Sequence, residues 1–235
     1  MPDPSTHRVT PTLPEWVRAA PVRLFFGGSF DPPHEGHTTL PARVADRLGD
    51  RTPVVYVPAS RSPHKDDAPA PDADRLAMLE LALGILEHPH CVWTRELDTG
   101  ADAPGAPSYW ADTWSRVRAV CDAGENRFLI GADQALSMHK WRRYDEFWRD
   151  AAVMLRDDAS RADELLRSLR ELGVWSEEDL SHWASRIVRV GMVEASSSHI
   201  RAALSDPEKR KHPIDGLDDR VRGYIVSRGL YTRGA

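Results

Sequence analysis

Short apolar runs rich in β-branched and aromatic residues alternate along this chain with longer stretches of amphipathic pattern. The runs predict strands at 22–27, 53–58, 91–96, 126–131, 151–155 and 187–192. The amphipathic stretches predict helices near 36–48, 73–87, 110–122, 144–149, 161–172, 177–185, 198–204 and 217–228. Strands separated by helices read as βαβ units, so the expected class is α/β: a doubly wound parallel sheet with helices on both faces. Such sheets bind ligands at the carboxyl ends of their strands, where the strand order switches. The joints at 58–74 and 98–108 contain Gly and Pro and read as long loops over that edge. Residues 1–20 read as a Pro-rich arm and 21–235 as one domain. The charged stretch 156–185 reads as a solvated helical face.

At 235 residues the chain is long enough for one good core, and its net charge of −5 argues against a general nucleic-acid binder. Any site for an anion must then be a local concentration of positive charge. The apolar runs are too short to span a membrane, and the first twenty residues lack the apolar centre of a signal peptide. Cys91 and Cys121 have no metal-ligand spacing and read as reduced thiols. The expected location is the cytoplasm, with no membrane and no nucleic-acid partner. A homo-oligomer stays open.

The stretch with chemistry in it is "GGSFDPPHEGH", residues 27–37, which leaves the first predicted strand at the ligand-binding edge. Gly27 and Gly28 remove side chains where the strand turns, so a phosphate can approach the backbone. Gly36 does the same at the start of the next helix, whose N–H groups favour an anion. His34 and His37 bracket that helix start. A zinc site needs a third ligand, and no Cys or carboxylate stands at a suitable spacing nearby, so no metal is expected on these histidines. Two histidines beside a turn are also compatible with plain solvent exposure.

The whole string resembles the nucleotidyltransferase form of the "HxGH" motif, "GG(S/T)FDPxHxGH". Four further segments, in order, resemble bacterial nicotinate-nucleotide adenylyltransferases: "SPHKDD" (62–67) their "PHK" loop, "PSYWADTW" (107–114) their "PSYTxDT", "FLIGADQALSMHKW" (128–141) their "FIIGADxxxxxxxW", and "SSSHIR" (196–201) their "SSTxIR". "RVRGYIVSRGLY" (220–231) is similar to the family's closing helix. The resemblance implies a Rossmann-like sheet, and adenylyl transfer from ATP to nicotinate mononucleotide that yields deamido-NAD and pyrophosphate. Magnesium would arrive with ATP. A preference for nicotinamide mononucleotide, or a catalytically silent nucleotide-binding module, are the alternatives.

Carried over residue by residue, His37 would donate to the α-phosphate and His34 would help bind the ATP phosphates. Gly27, Gly28, Ser29, Phe30 and Gly36 would form the turn around the substrates. Arg201, presented by Ser197 and Ser198, would hold the β- and γ-phosphates as a planar fork. Lys65 would face the phosphates from a loop, or stand solvated. Asp133, after Gly131, would sit near the ATP ribose or cap the helix that follows it. Trp141 is the candidate platform for the pyridine ring, unless it only packs in the core. Tyr109, Trp110, Asp112 and Thr113 would shape the acceptor pocket. Trp110 departs from the family, which has threonine there, close to the nicotinate carboxylate; an indole cannot replace that hydroxyl.

Overall fold

In a computed structural model, which describes residues 9–60, 69–102, 108–155 and 159–232, the "VRLFF" run is the centre of the sheet. Strand β2 (Val22–Gly28) pairs in parallel with β3 (Val54–Pro58) on one side and β5 (Glu125–Gly131) on the other. Beyond β3 come β4 (His90–Trp93) and β1 (Val9–Thr10); beyond β5 come β6 (Ala151–Leu155) and β7 (Ile187–Arg189). The order is β1-β4-β3-β2-β5-β6-β7, and every described pairing is parallel. The chain winds outward from β2 to β4, then returns to lay β5 against β2. The order switches there.

Alternation along the strands sorts the core into two layers. Leu24, Val54, Tyr56, Leu129 and Met154 meet Leu40 and Val44 of helix α2 (Glu35–Leu48) and Leu79 and Leu83 of α3 (Asp72–Leu83). Phe25, Val55, Phe128, Ile130 and Val153 face the other way. They pack on Trp114 and Val117 of α5 (Trp110–Val120), with Leu165 and Leu169 of α7 (Ala159–Glu171) and Trp183 of α8 (Glu177–Ser185) in the same layer. A third cluster joins α3 to α9 (Ser197–Leu204) and α10 (Asp219–Ser227) through Met78, Ile200, Leu204, Val221 and Ile225. Each such buried aliphatic side chain contributes ~1.5–3 kcal/mol by leaving water.

The sequence reading differs from the structure in several places, each for a local reason. The stretch read as a Pro-rich arm supplies, from Val9 on, an edge strand and helix α1 (Glu15–Arg18), because Leu13 and Val17, four apart, both reach the core. The strand expected at 91–96 stops at Trp93, whose indole N–H donates to the Pro11 carbonyl, 2.9 Å. "RELDTGAD" then forms α4 (Arg95–Asp102), where a loop was expected. The helix expected at 144–149 is two single 3₁₀ turns, Tyr144–Glu146 and Trp148–Asp150. The charged stretch 156–185 is solvated on one side only: Leu165, Leu169, Leu180 and Trp183 are buried beneath it. Among the described residues, no helix is long and apolar enough to cross a membrane.

Candidate active site

Helix α2 begins in an unusual way, and the two motif histidines are the reason. His34 is its N-cap, in extended conformation, and its Nδ1 accepts from the Gly36 N–H at 3.1 Å. His37 answers by accepting the His34 N–H on its own Nδ1, 3.3 Å. The pair thus forms a reciprocal capping box built from imidazoles. With both Nδ1 atoms accepting, each neutral ring carries its proton on Nε2, the nitrogen the cap does not use. The rings lie 3.8 Å apart, centroid to centroid, and 30° from parallel. A Cβ at Gly36 would come within 3.0 Å of His34 Cε1, so only glycine lets that ring fold back over the helix start.

This geometry corrects one expectation. The N–H groups opening α2 are not there to meet an anion: Glu35 donates to the Gly216 carbonyl at 2.8 Å, Gly36 to His34 Nδ1, and His37 to the His34 carbonyl at 2.7 Å. An anion at this helix start would meet the histidine side chains and the helix dipole.

The turn from β2 into α2 is held from several directions. Phe30 sits at φ +50°, an uncommon region for a residue with a side chain, and the Asp31–Pro32 peptide is cis. The Phe30 ring is buried, edge-on to His37 at 5.3 Å, so it orients that imidazole and leaves only its backbone to face a ligand. Buried Arg75 donates to the Ser29 carbonyl (2.6 Å), the Ser60 carbonyl (3.3 Å) and the Ala70 carbonyl (3.1 Å). From α9, Ser197 Oγ donates to the Pro32 carbonyl at 3.0 Å. Arg201 Nη1 donates to the Asp31 carbonyl at 2.6 Å, and Nη2 to Ser198 Oγ at 3.4 Å. A guanidinium has five N–H donors, and these contacts use two of them.

Across the switch point, the indole of Trp110 closes over Gly27: a Cβ there would lie 2.7 Å from its Cζ3. Trp110 stacks on Trp114 (6.0 Å, 23°) and leans on Phe128 (5.6 Å), so its half-buried ring packs against the core layer. Thr113 is buried and donates to the carboxylate of Glu96. Burial pushes the Glu96 carboxyl up, against hydrogen bonds from Thr113 and Ser108 and the Arg116 charge. Asp112 is more open and faces Arg142 (3.7 Å) and Arg143 (3.4 Å), while the Arg142 guanidinium lies over the Tyr109 ring at 5.0 Å. Trp141, next to these arginines, is half-buried at the rim of the same layer.

Residues 25–203 match the family model described as cytidylyltransferase-like. A protein of Neisseria meningitidis serogroup C, named as a probable nicotinate-nucleotide adenylyltransferase, is 33% identical over 213 residues, covering 88% of this chain and 97% of that protein. The chain belongs to the nicotinate-nucleotide adenylyltransferase family. A family member from Stenotrophomonas maltophilia is 31% identical, over 89% of this chain and 96% of its own. The fold agrees with the Plasmodium falciparum nicotinic acid mononucleotide adenylyltransferase complexed with APC (TM-score 0.61, 13% identity, 90% of this chain and 98% of that one). It agrees also with the same protein complexed with NaAD (TM-score 0.59, 14% identity, with the same coverage).

Within this family frame, the structure gathers the sequence-derived residues into two neighbouring groups. One is the turn of Gly27, Gly28, Ser29, Phe30, His34, Gly36 and His37, with Ser197, Ser198 and Arg201 docked on it. The other is Tyr109, Trp110, Asp112, Thr113 and Trp141, joined to the first through the Trp110–Gly27 contact. Gly131 ends β5 at the same level as Gly28, three residues past the paired Phe128 and Phe25. Asp133 is exposed in the first turn of α6 (Ala132–Ser137) and does not cap it; Gln134 Oε1 accepts from the Gly131 N–H instead, 3.1 Å. Lys65 lies outside the described residues. Arg75, Glu96 and Asp31 were not singled out from the sequence, although Asp31 stands inside the quoted motif. Among the described residues, no group of three His, Cys, Asp or Glu is placed to hold a metal ion.

Proposed function

We infer that this chain transfers the adenylyl group of ATP to nicotinate mononucleotide, giving deamido-NAD and pyrophosphate, a step of NAD biosynthesis. The observation that carries the reading is the imidazole capping box at the strand-order switch, within a chain of this family. A phosphate monoester has its second pKa near 6, so the nucleophilic oxygen is largely ionised at neutral pH and needs no base. That oxygen bonds to the α-phosphorus of ATP while the bond from the α-phosphorus to the bridging oxygen breaks, and pyrophosphate leaves with the electron pair. What the protein supplies is alignment of two anions and donors for the charge that builds on phosphoryl oxygens. His37 Nε2–H donates to the α-phosphate, His34 Nε2–H to the adjoining phosphate oxygens, and Arg201 to the β- and γ-phosphates. Magnesium enters as part of the MgATP substrate. We place the reaction in the cytoplasm, where MgATP is at hand.

The acceptor's pyridine ring stacks on Trp141, with Tyr109 beside it. Because the Trp110 indole is packed against the core layer, the donors for the nicotinate carboxylate are backbone N–H groups near Asp112 and Trp141. The nearby Arg142 and Arg143 add a field that favours an anion, in part offset by Asp112. The test is pyrophosphate release from MgATP with nicotinate or nicotinamide mononucleotide in turn. A kcat/KM for the nicotinate form at least about tenfold higher, or 1.4 kcal/mol, is expected. Equal values for the two acceptors would refute the carboxylate contact, and no pyrophosphate from either would refute the reaction.

A further inference from the structure

On the atoms of Asp31, in the β2–α2 turn, three distant parts of the chain converge. Its Oδ1 accepts from the Tyr231 hydroxyl at 2.6 Å and from the Ala70 N–H at 3.2 Å. Its backbone carbonyl accepts from Arg201 Nη1, and its Oδ2 stands 4.0 Å from the same nitrogen. The Asp31 side chain is 11% exposed and that of Arg201 35%. Tyr231 follows α10, which is itself anchored on α3: Tyr224 Oη donates to Asp74 at 2.7 Å and Arg228 Nε to the same carboxylate at 3.1 Å.

A carboxylate this close to a guanidinium has a better geometry open to it. A small rotation would bring both oxygens onto the Arg201 fork in a bidentate pair. That pair would occupy the donors the fork needs for a polyphosphate. It does not form here, because Tyr231 and Ala70 claim Oδ1 and turn the carboxylate aside. Burial and the adjacent carboxylate push the Tyr231 phenol up, so the hydroxyl stays a donor at neutral pH.

We propose that Tyr231 is a positioning residue of the active site: by holding Asp31 Oδ1 it keeps Arg201 open for the β- and γ-phosphates of ATP. The role rests on the assignment of Arg201 to those phosphates. Tyr231→Phe removes the shorter of the two hydrogen bonds on Oδ1, so only the longer Ala70 contact still restrains Asp31 from chelating Arg201, and it leaves the acceptor pocket alone. The KM for MgATP should rise about tenfold, the size of one hydrogen bond to a charged group, while the KM for nicotinate mononucleotide stays within about twofold. Asp31→Asn has no charge with which to chelate Arg201, so in the Asp31→Asn background Tyr231→Phe should change the MgATP KM by less than about twofold. Melting temperatures of all variants serve to separate folding from binding. An unchanged MgATP KM in Tyr231→Phe, or a rise on Tyr231→Phe that is as large in the Asp31→Asn background as in the unmodified protein, would overturn the proposal. Arg201→Ala is measured alongside: a normal MgATP KM there would overturn the phosphate assignment itself, a distinct failure.

Discussion

The indole of Trp110 occupies the space that a side chain on Gly27 would need. A Cβ there would approach Cζ3 to 2.7 Å, and the ring cannot retreat because Trp114 and Phe128 pack against it. Gly27→Ala should therefore cost about 1–3 kcal/mol, as overpacked cores do, read as a lower melting temperature. In a Trp110→Thr background the same substitution should cost less than half as much. Equal costs in both backgrounds would show that the clash is relieved some other way.

The capping role of His37 and its proposed chemistry fall on different nitrogens, so the two separate experimentally. Loss of the Nε2 donor in His37→Ala should lower kcat by at least about a hundredfold, the usual consequence of removing a donor worth ~2.7–4 kcal/mol to a developing oxyanion. Loss of the Nδ1 acceptor uncaps the His34 N–H and should cost about 1 kcal/mol in stability. Single-turnover kinetics and thermal melts measure the two effects. A folded His37→Ala protein with near-normal kcat would remove His37 from the chemistry.

Arg201→Lys keeps the charge but not the fork. The guanidinium reaches the Asp31 carbonyl with one nitrogen and Ser198 Oγ with another while still facing outward; an ammonium cannot span these points. The kcat/KM for MgATP should fall at least about tenfold, or 1.4 kcal/mol. Full retention would mean that Arg201 is only a brace for the turn.

Glu96 supplies a pH test of the acceptor side. Its carboxyl holds a proton more tightly in the folded protein than in the unfolded chain, because burial disfavours the charge. The stability it contributes is thus complete below the ordinary carboxyl value of about 4.3 and is lost as pH rises through the raised folded value. Glu96→Gln has no charge to form and still offers an acceptor to Thr113. It should melt higher than the unmodified protein at neutral to alkaline pH, with the difference closing toward about pH 4. A difference that does not vary with pH would place the cause in packing.

What the sequence revealed and what it hid follow from the range of the interactions. Runs such as "VRLFF" and "AAVML" announce strands through their own composition, and β2 and β6 run where those runs lie. "GGSFDPPHEGH" announces itself through glycines, prolines and histidines within one turn. Tyr231 and Asp31 are 200 positions apart, and nothing local to either marks the other. Arg75 looks like any arginine of an amphipathic helix until the Ser29 and Ser60 carbonyls are brought to it. The N-terminal segment misled because its prolines are conspicuous, whereas its two anchors, Leu13 and Val17, are ordinary.

Among the described residues the sheet starts and finishes in very small pieces, Val9–Thr10 at one rim and Ile187–Arg189 at the other. A long open strand at a rim is a template on which a second chain can add its own strand and then a third. Among the described residues each rim gives out after a few peptide groups, so along these a second copy finds little to zip onto and a fibre finds no long rim from which to grow.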